Sequence, residues 1–158
     1  MNKYIKSLII TILCGLLFSC GFKPLNQKNV GLINLQNITI EGDQRTAYIL
    51  KNNLSLISNK ESKNIYDAKI IITKNKSNKI KDKSGKTTRY GLTLSVQLEL
   101  VDEINSKELR NTFTRSSDYD VATIHSDTIN NENNATRNII ENITSDMNTF
   151  ITLRMRGQ

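Results

Sequence analysis

A strict alternation of apolar and polar side chains in the middle of the chain is the clearest pattern in the sequence. Every second residue from 90 to 100 is apolar, and the residues between are small or polar; the apolar set is Tyr90, Leu92, Leu94, Val96, Leu98 and Leu100. A period of two is the repeat of a β-strand. The pattern therefore predicts a long strand that packs one face on a core and turns the other toward water.

Weaker apolar patterns predict three more strands. Residues 32–40 are rich in Ile, Leu and Thr, which is typical of a first strand. A second strand is expected over residues 68–72, and we expect it to end where the polar segment 73–86 begins. After a turn at residues 101–108, a fourth strand is expected over residues 109–119.

Two segments carry the period of an amphipathic helix. Asp43 can cap the first helix, whose apolar positions recur at steps of three and four residues and which we expect to end at Ser58-Asn59. The second is a long C-terminal helix that we expect to begin at about Asn131. Its apolar stripe is Ala135, Ile139, Ile143, Met147 and Phe150 or Ile151, and we expect Thr136, Glu141 and Asp146 to lie off that stripe.

The predicted order of elements is strand, helix, three strands and helix. A sheet with one apolar face needs a cover, and two amphipathic helices can supply it. We therefore predict an α+β fold, a two-layer sandwich with two amphipathic helices packed on one mostly antiparallel four-stranded sheet. No repeat or second core is visible, so we expect a single domain over residues 32–158.

The N-terminal part of the chain has the pattern of an export signal. Two lysines precede the apolar run Ile9–Phe18, which is shorter than the roughly 20 residues that span a bilayer. A small residue, Ser19, comes before Cys20, and the sequence at 17–20, Leu-Phe-Ser-Cys, resembles a lipobox. We predict a lipoprotein signal peptide at residues 1–19, lipid attachment at Cys20 and a tether at residues 20–31. An uncleaved anchor helix with an incidental cysteine is the alternative.

The sequence carries no recognisable catalytic set. Its one histidine, His125, lies in a polar stretch just before the last predicted helix, and loss of the signal peptide would leave Cys20 as the only cysteine. A lone histidine without a second ligand is a poor metal site. Asp118, Asp120 and Glu132 have the spacing of solvated loop residues rather than of a catalytic pair. We therefore expect no enzymatic activity, no metal and no cofactor.

Positive charge is concentrated in one segment of a chain whose formal net charge is +7. This segment holds seven cations against the single anion Asp82, namely Lys74, Lys76, Lys79, Lys81, Lys83, Lys86 and Arg89. Ser84-Gly85 at its centre predicts a hairpin turn, and such a hairpin would attract phosphate groups. Nucleic acid is a common target of such a patch, but an exported lipoprotein meets little of it. A solvated hairpin whose lysines only discourage aggregation remains the alternative.

Three segments resemble one protein family, the lipopolysaccharide-assembly lipoproteins called LptE or RlpB. They are CGFKPL at residues 20–25, similar to the family's mature start, YILKNNL at 48–54, similar to its first helix, and KSGKTTRYGLTLSVQLEL at 83–100, similar to its central hairpin. The resemblance implies a fold of two helices and four strands. It also implies a non-enzymatic protein anchored by its lipid in the outer membrane, on the periplasmic side. Gly21 after the cysteine is consistent with sorting to that membrane.

The resemblance further implies two partners, a large β-barrel of the LptD type and lipopolysaccharide. Members of the family plug the barrel, stabilise it and help it deliver lipopolysaccharide to the cell surface. Lys83 best matches the basic turn position that is thought to contact lipopolysaccharide, and Lys81, Lys86 and Arg89 lie near it. Neither nucleic acid nor a cofactor is expected. The alternative is a stand-alone periplasmic lipoprotein that serves another lipid-transport complex.

Overall fold

A computed structural model describes residues 32–102 and 107–156, which form one four-stranded sheet with two helices on one of its faces. The elements are β1 (Asn34–Glu41), α1 (Gln44–Ile57), β2 (Ile65–Lys81), β3 (Thr87–Asp102), β4 (Lys107–Asp120) and α2 (His125–Arg156). The sheet order is β1-β2-β3-β4. β1 runs parallel to β2, and the other neighbours are antiparallel. The predicted α+β sandwich is thus confirmed.

The entry into α1 depends on two residues with special backbone roles. Gly42 has a φ of +121°, and a Cβ built there would lie 2.3 Å from the carbonyl oxygen of Ile72 on β2. Asp43 follows as the predicted cap, and its Oδ1 accepts hydrogen bonds from the Thr46 amide at 2.9 Å and the Thr46 hydroxyl at 2.6 Å. These bonds hold the pKa of Asp43 below its ordinary value. The helix ends at Ile57 with Ser58 as its C-cap, as predicted.

The core lies between the helices and one face of the sheet. Its fully buried side chains include those of Leu50, Leu54, Ile70, Leu92, Leu94, Leu98, Leu100, Ile139, Ile143 and Met147. The alternating pattern of β3 and the helical stripes therefore mark the buried positions correctly. Thr136 was expected off the stripe, and that prediction is wrong because it is buried. Its hydroxyl donates to the carbonyl oxygen of Glu132 at 2.8 Å, so it satisfies its own polar atom within the helix.

Two predicted boundaries differ from the structure. β2 does not end at residue 72 but continues to Lys81, because β3 supplies backbone partners along its whole length; Ser77 pairs with Gly91 and Lys81 with Thr87. Polar side chains do not end a strand whose backbone is paired. α2 begins at His125 rather than at about Asn131. Its first turns are exposed and polar, so they carry no apolar period from which a start could be read.

The predicted signal peptide (1–19), Cys20 and the tether (20–31) lie outside the described residues, as do residues 103–106 within the predicted 101–108 turn. β3 ends at Asp102 and β4 begins at Lys107, on either side of that gap. Among the described residues, neither helix is long and apolar enough to cross a bilayer.

Candidate functional site

The basic segment folds as a hairpin that leaves the body of the sheet. We call residues 74–90 the basic hairpin; it comprises the end of β2, a turn and the start of β3. β4 accompanies it as far as Arg89, which pairs with Asp120. Beyond that point the hairpin has only its own two strands, apart from the Val121 amide, which donates to the Thr88 carbonyl at 2.9 Å. The segment that follows β4 thus contacts the hairpin just below its tip, and the tip projects.

The tip is a well-defined turn, as Ser84-Gly85 predicted. One carboxylate oxygen of Asp82 accepts hydrogen bonds from the Ser84 amide at 2.8 Å, the Ser84 hydroxyl at 2.6 Å and the Lys86 amide at 3.0 Å. These bonds lower the pKa of Asp82. Gly85 has a φ of +82°, a conformation that suits glycine. Asp82 therefore shapes the turn in addition to balancing a charge.

A cluster of charged and aromatic side chains holds the base of the hairpin against α2. Lys74 Nζ donates to Oε1 of Glu132 at 2.9 Å, and Lys76 Nζ donates to Oε2 at 3.0 Å. The Tyr119 hydroxyl donates to Oε2 at 2.7 Å. Lys76 Nζ also lies 4.1 Å from the centre of the Tyr90 ring, and that ring lies 5.6 Å from the ring of Tyr119. We call these five residues the base cluster.

Glu132 is the centre of the base cluster, and its carboxylate is held ionised. Burial raises its pKa, but the hydrogen bonds from Lys74, Tyr119 and Lys76 outweigh burial and lower the pKa to about 2. The side chain is 25% exposed. Sequence reasoning placed Glu132 among solvated loop residues, and that prediction is wrong. The residue lies on α2 and joins this helix to β2 and β4.

Asp118 and Asp120 lie at the end of β4, where they were expected, and both are exposed, but they also pair with the basic hairpin. Lys79 Nζ lies 4.0 Å from Oδ1 of Asp118, and Arg89 Nε donates to Oδ1 of Asp120 at 2.6 Å. The hydrogen bond from Arg89 lowers the pKa of Asp120. Both pairs are exposed, and exposed pairs of this kind add little stability. Their effect here is to neutralise two cations of the hairpin.

Gly91 provides the space that one of these pairs needs. A Cβ on Gly91 would lie 2.6 Å from Cε and 3.0 Å from Cγ of Lys79. The lysine side chain therefore passes directly over the glycine on its way from β2 toward Asp118 on β4. A glycine within a strand often marks such a close approach.

The seven cations of the segment consequently fall into two groups. Lys74, Lys76, Lys79 and Arg89 pair with acids supplied by β4 and α2. The other three, Lys81, Lys83 and Lys86, are exposed at the tip. Within the described residues no ion pair forms at these three lysines, although Lys86 contributes to the lowered pKa of Asp82. Of the four residues predicted to contact lipopolysaccharide, three lie at the tip, and Arg89 pairs with Asp120 below it.

The tip can bind an anion by charge and hydrogen bonding. A lysine ammonium is a compact charge with three donors that suits phosphate oxygens. His125 lies apart from this arrangement, at the exposed first residue of α2. In the described residues there is no group of three His, Cys, Asp or Glu side chains that could hold a metal ion.

No protein-family model and no curated protein matches this sequence. Three solved structures are similar to it. A lipoprotein of Caulobacter crescentus has a TM-score of 0.56 and 19% identity, over 77% of this chain and 92% of that one. Rare lipoprotein B of Shewanella oneidensis has a TM-score of 0.51 and 11% identity, over 76% and 96%. Lipoprotein B of Nitrosomonas europaea has a TM-score of 0.50 and 18% identity, over 83% and 92%.

These comparisons establish the fold. The chain has the architecture of the rare lipoprotein B structures, as the resemblance in its sequence predicted, and it covers nearly the whole of each of the three.

Proposed function

We propose that this chain is a lipid-anchored outer-membrane protein of the LptE family, which plugs and stabilises an LptD-type β-barrel and binds lipopolysaccharide phosphates through the tip of its basic hairpin. The role is non-enzymatic. The observation that carries the proposal is the tip itself, where Lys81, Lys83 and Lys86 form no ion pair within the described residues, whereas the other four cations of the hairpin share three acids. The lipid would be attached at Cys20, on the periplasmic side of the membrane.

Two independent lines support the family. The fold is that of rare lipoprotein B, and the sequence carries the lipobox, the CGFKPL start and the hairpin pattern at 83–100. A fold can host many functions, so the argument for lipopolysaccharide depends on the site. Lipopolysaccharide is a phosphorylated lipid, and charge-assisted contacts from several lysines to one phosphate-bearing head group act together.

The charge of the tip can be tested without disturbing the core. Lys83→Glu with Lys86→Glu reverses two exposed cations that have no ion-pair partner in the described structure. The matched control is Lys51→Glu with Lys63→Glu, which makes the same change in net charge at two exposed sites on α1 and before β2. We expect the tip variant to weaken lipopolysaccharide binding at least about tenfold, with a smaller salt dependence than the wild type, because fewer charges contribute.

The control variant should bind within about twofold of the wild type, since its lysines lie on α1 and before β2, outside the basic hairpin. An equal loss in both variants would mean that only the overall charge matters, and the hairpin would then lose its role as a binding site. Unchanged binding in both would leave the tip lysines as solvated surface residues.

The barrel is tested separately, by isolating the lipidated chain from its own membranes in mild detergent and identifying the proteins that accompany it. We expect a large outer-membrane β-barrel in about equal amount. This association should survive the tip substitutions, because stable interfaces depend on buried aromatic and aliphatic contacts rather than on exposed charges. A permease or an ATPase in place of the barrel would instead favour an auxiliary lipoprotein of another lipid-transport complex.

A further inference from the structure

We propose that Glu132 is a positioning residue, which clamps the base of the basic hairpin to α2 and so fixes the direction in which the tip lysines point. This inference rests on the proposed function for its consequence, since it concerns how the tip is presented to a phosphorylated ligand. The clamp is a separate site from the tip. Glu132 would act on the ligand through the hairpin and would not touch it.

The base cluster connects the hairpin to the rest of the fold. Its five residues come from four elements, with two on β2 and one each on β3, β4 and α2: Lys74, Lys76, Tyr90, Tyr119 and Glu132. The carboxylate of Glu132 accepts three hydrogen bonds from two of those strands, all between 2.7 and 3.0 Å. One helical side chain therefore ties the outgoing strand of the hairpin, β2, to β4 on the other side of β3.

The base cluster lies at the end of the hairpin that is farthest from the tip. Within the part of the chain described, the contacts of Glu132 with Lys74 and Lys76 are the ion pairs that join the hairpin to a helix. The pairs further out, from Lys79 and Arg89, reach only to β4 and are exposed. A change of angle at the base moves the tip by the largest distance, so a restraint at the base is the effective one.

Charge separates the base of the hairpin from its tip. Glu132 offsets one of the two positive charges of Lys74 and Lys76, and within the described residues no ion pair forms at the tip lysines. Lys81, Lys83 and Lys86, which have only Asp82 near them, therefore carry the larger share of the uncompensated positive charge. A phosphate group approaching the hairpin is attracted more strongly to the tip than to the base.

The test uses the full lipidated chain in dodecyl maltoside micelles and a variant that keeps the charge of the cluster constant. Glu132→Gln with Lys74→Gln removes one anion and one cation, so the sum of charges in the cluster is unchanged. The matched control is Glu141→Gln with Lys51→Gln, two exposed residues on α2 and α1. Hydrogen exchange of the amides of residues 79–89 reports the freedom of the hairpin. Titration with lipid A and with dephosphorylated lipid A reports binding and its dependence on phosphate.

We expect amide exchange in residues 79–89 to rise at least about tenfold in the cluster variant, while the amides of residues 92–100 stay protected, and we expect affinity for lipid A to fall at least about threefold. The control should match the wild type in both. Unchanged exchange in the cluster variant would overturn the clamp, even if its melting temperature fell, because a purely structural role lowers stability without freeing the hairpin. Faster exchange with unchanged affinity would overturn the link between clamp and binding.

Two further measurements cover a cluster variant that does not fold and a wild type that does not prefer phosphorylated lipid A. If the cluster variant does not fold, Tyr119→Phe keeps the ring and removes only the hydroxyl that donates to Glu132; faster exchange in residues 79–89 would then support the clamp and unchanged exchange would overturn it. If the wild type binds lipid A no better than its dephosphorylated form, the proposed function fails. The exchange measurement would still decide whether Glu132 holds the hairpin. Titration with phosphatidylglycerol distinguishes a general phospholipid site from one for lipid A.

Discussion

The lowered pKa of Glu132 makes a quantitative prediction about stability and pH. The ordinary pKa of the group is 4.5 and its value in the folded protein is about 2. At about 1.36 kcal/mol for each pH unit, the difference sets an upper figure of about 3.4 kcal/mol for the stabilisation by the ionised carboxylate. The side chain is partly exposed to solvent, which weakens its ion pairs, so we expect about 2 kcal/mol.

The sign follows from the direction of the shift. Because the folded pKa lies below the unfolded one, the stabilisation is fully present above pH 4.5 and is lost as the pH falls toward 2. Glu132→Gln removes the titrating group. The variant should therefore be about 2 kcal/mol less stable than the wild type near neutral pH, and the two should converge as the pH approaches 2. Urea unfolding, which adds no salt, measures the free energy of unfolding at each pH.

Comparison with the wild type isolates Glu132 from the other acids with lowered pKa values, namely Asp43, Asp82 and Asp120, since these titrate in both proteins. Glu141→Gln on the exposed side of α2 is the control and should follow the wild type at every pH. A difference between wild type and Glu132→Gln that stayed constant from neutral pH to pH 3 would refute the reasoning. It would mean that Glu132 stabilises the folded protein through its packing and not through its charge.

Three other substitutions test local features of the fold, and a fourth tests the lipid attachment. Gly42→Ala should cost about 3 kcal/mol or more in urea unfolding, because its Cβ would meet the Ile72 carbonyl oxygen in a strained conformation, whereas Gly85→Ala, which has open space, should cost only about 1 kcal/mol. Asp43→Ala removes a helix cap and should cost about 1 kcal/mol in the same assay. Cys20→Ala should abolish incorporation of labelled palmitate and release the chain from the membrane, and labelling that persisted would contradict lipid attachment at this residue.

The sequence was most informative where a single local rule decides the structure. Alternation over residues 90–100 reports burial on one face of a strand, and the acceptor of Asp43 lies only three residues from the amide that it caps. Both were predicted for that reason. The polar second half of β2 was missed because backbone pairing with β3, which leaves no trace in the side chains of β2, holds it extended.

The base cluster could not be predicted as a cluster, since Lys74 and Glu132 are 58 residues apart and meet only because α2 packs against the sheet that contains β2. A weaker signal was present. Glu132 lies three residues before Ala135, in line with the buried stripe of the last helix, and an acid in that position needs partners. If the sequence prediction had begun α2 at His125, Glu132 would have fallen well inside the helix and not near its start. The three tip lysines were predicted together with Arg89 as one binding group, and only the structure shows that Arg89 pairs with Asp120 while the lysines do not form ion pairs within the described residues.

The order of strands in the sheet has a consequence for how the chain reaches this structure. Every strand lies beside its neighbour in sequence, and β2, β3 and β4 are joined as successive hairpins. Contacts between close neighbours in sequence form at a small cost in loop entropy and favour rapid folding. β1 is different, because its parallel pairing with β2 requires a long crossover connection, which α1 supplies. We therefore expect the three-stranded meander to assemble early and β1 to join the sheet late in folding.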